Sequence, residues 1–148
     1  MARKRDSQRT RVYRAEWVLR DQLKTRGESK DGLWEWDSLV ALAHASWEDY
    51  SGGLDLPKLT LNTRRRNWSV YKHGFHEIEL APTMCCPVVM LHELTHASMG
   101  TELYRGSIQA HGPEFVRTFL DRIDSKLGFA AGQTYRRGLT ANRVRIAR

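Results

Sequence analysis

The sequence predicts a small α+β domain in which helices surround a short three-stranded sheet. Two amphipathic helical patterns open the chain, alternating apolar and polar residues follow between 58 and 81, and two more helical patterns follow Pro82. Helical stripes repeat every three to four residues, whereas a half-buried strand alternates with period two. With 148 residues, 41% of them apolar, the chain is long enough for one core, and we expect a single domain over 1–148.

The first two helices are predicted over 6–25 and 37–49. Asp37 or Ser38 is the expected N-cap of the second helix, because short polar side chains accept hydrogen bonds from the first free N–H groups. Each segment places apolar residues on one face and charges on the other. The stripe of the first segment is Val12, Ala15, Leu19 and Leu23.

Three short strands are predicted over 58–63, 67–72 and 75–81, in an antiparallel or mixed sheet. Turns at Arg64–Asn67 and at His73-Gly74 separate the strands. The stretch from His76 to Leu80 has two interpretations. It is either an edge strand that aligns an extended peptide by strand addition or an ordinary amphipathic strand.

The last two predicted helices span about 84–99 and 113–127. Pro113 stands at the favoured first helical position, and Gly128 ends the helix. From Gln133 onward the apolar periodicity is weak, so we expect this tail to be partly ordered at most.

The net charge of +7 is concentrated at the two ends. Residues 1–14 contain six Arg or Lys against one Asp, and residues 133–148 contain five Arg and no acid. Such ends favour contact with phosphate backbones, although a solvated, solubilising surface has the same composition. The candidate nucleic-acid contacts are Arg3, Lys4, Arg5, Arg64, Arg65, Arg66, Arg136 and Arg137.

Neither a membrane segment nor a secretion signal is expected. No run approaches the roughly 18 apolar residues of a membrane helix, and Asp6–Arg9 is polar where a signal peptide needs an apolar stretch. Cys85 and Cys86 are adjacent, which strains a bridge between them. We therefore expect two small buried thiols in a reducing, cytoplasmic compartment and no membrane partner.

The strongest chemical signal is His92-Glu93-Leu94-Thr95-His96, an H-E-x-x-H pattern. At a separation of four, His92 and His96 lie on one helix face and can share one zinc ion. Glu93 stands beside that face, where it can activate a zinc-bound water as general base. The opposing interpretation is a pair of core histidines, but burying three polar groups on one helix without a role is costly.

A catalytic zinc ion needs a third protein ligand and one open position. Glu102 follows His96 by six residues, the offset used in metzincins, but the glycine that this motif needs is replaced by Met99. His111 precedes Gly112-Pro113, which would aim its ring back toward the helix that carries His92 and His96. We therefore prefer His111 to Glu102 as the third ligand.

This pattern resembles the SprT-like zinc metalloprotease family, which includes the DNA–protein crosslink protease Spartan. The similarity covers residues 84–120 and is carried by His92–Ala97 and by the H-G-P-E-F of His111–Phe115. The stretch from Arg5 to Tyr13 is also similar to a group of small metallohydrolases of actinobacteria and their phages. The first resemblance implies a zincin-like fold, with His92, His96 and His111 as zinc ligands and Glu93 as the catalytic acid–base in peptide hydrolysis.

Other sequence features of the family are not found in this sequence. No cysteine follows Cys86, so the zinc ribbon of Spartan-like members is missing from this sequence, and the tail has no recognisable recruitment motif. An oxyanion stabiliser is usual in such sites, and Tyr104 and Tyr135 are the candidates. The expected substrate is a protein or peptide. The alternatives are a nucleic-acid-binding module with a structural or vestigial metal, and a zinc hydrolase of a non-protein amide.

Overall fold

The computed structural model describes residues 8–25, 32–50, 53–106 and 108–148. Within these residues, six helices surround one three-stranded mixed sheet, so the α+β prediction is confirmed. The helices are α1 Arg9–Thr25, α2 Trp36–Tyr50, α3 Pro87–Ser98, α4 Gly100–Tyr104, α5 Pro113–Leu127 and α6 Phe129–Ala141. The strands are β1 Lys58–Leu61, β2 Ser69–Lys72 and β3 Glu77–Leu80.

The sheet has the order β1-β3-β2. β1 runs parallel to β3 and β2 runs antiparallel to it, so Ile78 is flanked by Leu59 on one side and Tyr71 on the other. The prediction that residues 76–80 form an edge strand is therefore wrong. Side-chain alternation is the same in edge and central strands, and the partners of β3 depend on how the chain returns. The edge strands are β1 and β2, and the Arg64–Asn67 turn connects them past the end of β3.

The helix boundaries differ from the predicted ones by a few residues. α2 begins at Trp36, so Asp37 and Ser38 both lie in its first turn and neither is its N-cap. The amide of Leu39 donates to the carbonyl of Glu35 at 3.2 Å, which is the first backbone bond of the helix. α3 begins at Pro87 because residues 82–84 form a separate 3-10 turn.

α3 is the central helix of the domain. Ten of its residues are buried, and it packs against α2, α5 and β2. A helix that is covered on all sides buries its polar residues along with its apolar ones. The side chains of the H-E-x-x-H pattern are therefore placed in the interior by the fold itself.

The prediction that the tail from Gln133 is partly ordered at most is wrong, because residues 129–141 form α6. Its buried face includes Ala131, Tyr135 and Leu139, at helical spacing that two glycines and two arginines obscure in the sequence. Gly138 allows the close contact between α6 and α1, since a Cβ there would stand 3.1 Å from the Cα of Ala15. The tail is thus ordered by packing against the first helix.

The last residues of the chain are also bonded to the domain. The Gln8 side chain donates to the carbonyl of Arg145 at 3.1 Å and accepts from its amide at 3.0 Å. Arg11 donates to the carbonyl of Arg143 at 2.9 Å. These bonds bring the basic N-terminal helix and the basic C-terminal segment together.

Both cysteines are free and buried, as predicted. In the described part of the chain, no helix combines the length and the apolar character that a bilayer crossing requires.

Candidate metal centre

His92 and His96 project from one face of α3. Their Nε2 atoms lie 3.0 Å apart, as the separation of four residues predicts. His92 is 2% exposed, and His96 is partly buried.

His111 approaches the same point from the start of α5. Gly112 is the N-cap of α5 and Pro113 occupies its first turn, so the backbone next to His111 has little freedom. The Nε2 atom of His111 lies 3.2 Å from that of His92. The three histidines thus bring their ligand atoms within 4.8 Å of one another.

The spacing of these nitrogen atoms fits a zinc ion. Zinc–nitrogen bonds of about 2.0–2.1 Å at tetrahedral angles place two ligand nitrogens about 3.3 Å apart, close to the two distances to His92. Buried nitrogens at these distances need a proton or a cation between them, and a single cation can satisfy all three at once. Three histidines leave the fourth position open, which is typical of catalytic zinc sites.

Glu16 of α1 holds the opposite side of the His92 ring. The Nδ1–H of His92 donates to the Glu16 carboxylate at 2.7 Å, and both groups are buried. This bond fixes the tautomer that leaves Nε2 free for a metal, and such a carboxylate strengthens the ligand. Sequence reasoning missed Glu16, although an acid inside the apolar stripe between Val12 and Leu19 is a detectable signal.

Burial and neighbouring charges shift the pKa values of His92 and His96 in opposite directions. Burial lowers the pKa of His92, but the nearby Glu16 carboxylate outweighs this effect and raises it overall. The pKa of His96 lies well below its ordinary value, first because of burial and then because of the charges of His92 and His111. A neutral imidazole is the form that binds a metal.

Glu93 stands beside the histidines and against strand β2. It is 4% exposed, and it accepts hydrogen bonds from the Ser69 side chain and from the Tyr71 backbone N–H. Burial raises the pKa of Glu93 despite these bonds and the nearby His92. The carboxyl is thus both oriented by β2 and made more basic than an exposed one, which suits a general base.

Aromatic rings enclose the histidines. The Tyr13 ring stacks on His92 with centroids 5.4 Å apart and lies 5.2 Å from the ring of His111. Phe115 and Phe119 cover the His92 ring from α5. Burial, followed by the charges of Glu16 and Glu93, raises the pKa of Tyr13 to about 12, so its hydroxyl stays protonated at neutral pH.

The other residues that the sequence suggested for the site lie away from the three histidines. Glu102 is exposed on α4, outside the metal cluster formed by described residues. Tyr104 is 79% exposed and stacks on His73 at 4.8 Å. Tyr135 is fully buried against Phe119. These positions do not support the predicted oxyanion role of either tyrosine, and Tyr13 is the tyrosine that packs on the ligands.

The remaining histidines are structural or exposed, as predicted. His44 is exposed on α2. His76 bridges the Tyr71 hydroxyl at 2.9 Å and the Asp55 carbonyl at 2.7 Å, which ties β2 to the segment before β1.

The candidate nucleic-acid contacts have different surroundings. Arg3, Lys4 and Arg5 lie outside the described residues. Arg64, Arg65 and Arg66 are exposed in the turn after β1, where Arg65 lies over the Trp68 ring at 4.7 Å. Arg136 forms an ion pair with Asp124, and Arg137 is exposed beside Thr134. The predicted contact with nucleic acid stays a prediction at all eight positions.

Comparisons of the chain with protein-family models, with curated proteins and with solved structures found no match.

Proposed function

We propose that this protein is a zinc-dependent metallohydrolase that cleaves peptide bonds, related to the SprT-like metalloproteases. The observation that carries the proposal is the convergence of His92, His96 and His111 beside Glu93. The Glu16 carboxylate behind His92 adds the oriented support that metal ligands usually have. We also place the protein in the cytoplasm, since two free thiols suit a reducing compartment.

In this proposal each group of the site has a defined role in the reaction. Zinc, when bound by the three histidines, supplies a Lewis acid that polarises the substrate carbonyl and favours ionisation of water. Glu93 takes the proton from the attacking water and then delivers it to the leaving amine. The Tyr13 ring packs on His92 and His111, and in this proposal its hydroxyl stabilises negative charge on the carbonyl oxygen.

The position of β2 favours an extended peptide as substrate. β2 is an edge strand, and its residues Ser69 and Tyr71 are bonded to Glu93. The outward N–H of Tyr71 is taken by Glu93, so a peptide would pair with the other outward groups of β2 and lie beside the general base in an extended conformation. We therefore assign to β2 the substrate alignment that one of the two interpretations gave to residues 76–80.

Metal analysis of purified variants tests the site. We expect one zinc ion per chain in the wild type and in Glu102→Ala, and loss of most of the zinc in His111→Ala. The zinc-loaded wild type should cleave unfolded casein, and a chelator should abolish the cleavage. Loss of zinc from Glu102→Ala but not from His111→Ala would overturn the ligand assignment.

A structural or vestigial metal is the main alternative, and casein cleavage separates it from the enzyme. Tight zinc binding without cleavage of casein would favour either a structural site or a hydrolase of a non-protein amide. A fourth protein ligand in a zinc-bound structure would favour the structural site, because such sites are usually closed by four protein ligands.

Nucleic-acid binding is a second candidate function, favoured by one specific observation. The bonds of Gln8 and Arg11 to the C-terminal segment bring the basic start of α1 next to the basic residues Arg143 and Arg145. We expect a fluorescent 20-base-pair duplex to bind with strong salt dependence. The double variant Arg14→Gln/Arg143→Gln should bind more weakly with a shallower salt slope, whereas Lys58→Gln on β1 should not. Equal binding by the double variant and the wild type would leave the ends as solubilising surfaces.

A further inference from the structure

A cavity of about 120 Å³ lies between α1 and α3, next to the metal centre. Tyr13, Trp17 and Arg20 form its α1 wall. They are four and three residues apart, so they lie on one face of the helix. Tyr13 is the member of this wall that also packs on His92 and His111. One end of the cavity is therefore at the metal centre.

The opposite wall comes from α3 and from the turn before it. Val89 and His92 both line the cavity, and Met84 of the turn before α3 lines it as well. Val89 precedes His92 by three residues and Glu93 by four, so it lies one turn away on the same helix face. The cavity thus continues the reactive face of α3 in the direction of its N-terminus.

β2 borders the third side. Ser69 lines the cavity, and the same residue bonds to Glu93. Because successive residues of a strand are about 3.3 Å apart, a peptide along β2 that has its reacting bond at Glu93 carries neighbouring side chains at the level of the cavity. The cavity is within reach of a side chain close to that bond.

The lining favours an apolar occupant. Trp17, Met84 and Val89 present apolar surface, while the polar groups have partners within the protein. The Glu16 carboxylate accepts from His92, and the Arg20 guanidinium lies over the Trp17 ring at 4.3 Å. A cavity of about 150 Å³ with aliphatic walls holds a benzene molecule. The volume of this cavity therefore suits a side chain of the size of leucine better than an aromatic one.

We propose that this cavity is a specificity subsite that accepts an aliphatic side chain next to the bond being cleaved. The proposal rests on the peptidase function proposed above. It assigns substrate selection to Trp17, Met84 and Val89, whereas the bond-breaking step belongs to Glu93 and the histidines.

The test uses the zinc-loaded full chain and a tryptic digest of casein, with the cleaved bonds identified by mass spectrometry. We expect Leu, Ile, Val or Met to be enriched at one fixed position next to the cleaved bond. Two synthetic peptides that differ only in Leu or Phe at that position then give the ratio of their kcat/KM values. Val89→Ala enlarges the cavity and should shift this ratio about tenfold toward Phe, since one methylene in such a pocket is worth 10-fold or somewhat more, in order of magnitude.

Val18→Ala is the matched control. Val18 lies on α1, is 50% exposed and does not line the cavity, so the ratio should equal that of the wild type. Met84→Ala provides a second enlargement from a half-buried position, in case Val89→Ala reduces folding. Anisotropy of the two fluorescently labelled peptides with zinc-loaded Glu93→Gln should show tighter binding of the Leu peptide, and the double variant Val89→Ala/Glu93→Gln should show affinities shifted toward the Phe peptide, without any turnover.

The outcomes separate the two proposals. Cleavage without preference at any position, or a ratio that neither Val89→Ala nor Met84→Ala changes by more than about twofold, overturns the subsite and leaves the peptidase intact. Failure of the zinc-loaded wild type to cleave any peptide overturns both.

Discussion

Two buried polar clusters in this molecule differ in how their polar atoms are partnered. Arg122 of α5 is fully buried and donates to the Ser46 hydroxyl of α2 at 2.7 Å. In the metal centre, His92 likewise donates to Glu16 of α1 at 2.7 Å. Both bonds join helices across 76 residues of sequence, but only the second cluster also contains nitrogens that face one another.

The difference predicts that the first cluster stabilises the fold and that the second binds zinc in the proposed function. A donor that meets an acceptor compensates for the loss of water. The ligand nitrogens of His92, His96 and His111 instead converge within 4.8 Å, an arrangement in which one metal cation can satisfy all three. We therefore expect changes at the Arg122–Ser46 pair to alter stability alone, and changes at the metal centre to alter zinc affinity or turnover.

The largest effect is expected for Glu93→Gln. This variant keeps the shape of the side chain but removes the proton acceptor, so casein cleavage should fall by about 10²–10⁴-fold while the zinc content stays at one ion per chain. Turnover assays and metal analysis of the same sample measure the two quantities. Glu102→Gln on α4 is the matched control and should retain full turnover. A folded Glu93→Gln protein with wild-type turnover would disprove the proposed mechanism.

Glu16→Gln tests whether the carboxylate behind His92 strengthens zinc binding at the metal centre. The amide can still accept from His92 but no longer carries the charge that makes the ring a stronger ligand, so zinc affinity should fall by about 10–100-fold. Competition with a chromophoric chelator measures this affinity. Asp21→Asn, an exposed acid on the same helix, should not change it. Unaltered affinity in Glu16→Gln would reduce Glu16 to a packing residue.

Ser46→Ala tests the other cluster. Removal of the hydroxyl takes an acceptor from a buried guanidinium, and the free energy of unfolding should decrease by about 2 kcal/mol. Urea denaturation of the zinc-loaded protein measures this change, and zinc affinity should equal that of the wild type. A change in zinc affinity comparable to that of Glu16→Gln would show that the two clusters are coupled.

Tyr135→Phe is expected to have the smallest effect. The Tyr135 hydroxyl is buried and has no hydrogen-bond partner among the described residues, so its removal should raise the free energy of unfolding by about 1 kcal/mol. Thermal or urea unfolding measures the gain, and kcat on casein should stay unchanged. If instead kcat decreased sharply, the predicted oxyanion role of Tyr135 would be reinstated.

Local patterns in the sequence predicted much of the fold and part of the site. Helical and strand periodicities indicated the two helices and three strands before residue 82 and the helices α3 and α5 after it, because one buried face leaves a repeat in the sequence. The α6 helix was missed because Gly132, Gly138 and two arginines interrupt its stripe, and its order comes from contact with Ala15. The position of β3 at the centre of the sheet was also missed, since pairing partners leave no local signal.

The sequence by itself determined that His92 and His96 share one face of a helix and that Glu93 stands beside that face, because a separation of one turn is a local property of the chain. Only the tertiary structure decided that His111 joins them, that Glu16 supports His92, and that β2 lies against Glu93. These contacts join distant parts of the chain, and they form only when the packing of α1, α5 and β2 around α3 brings those parts together.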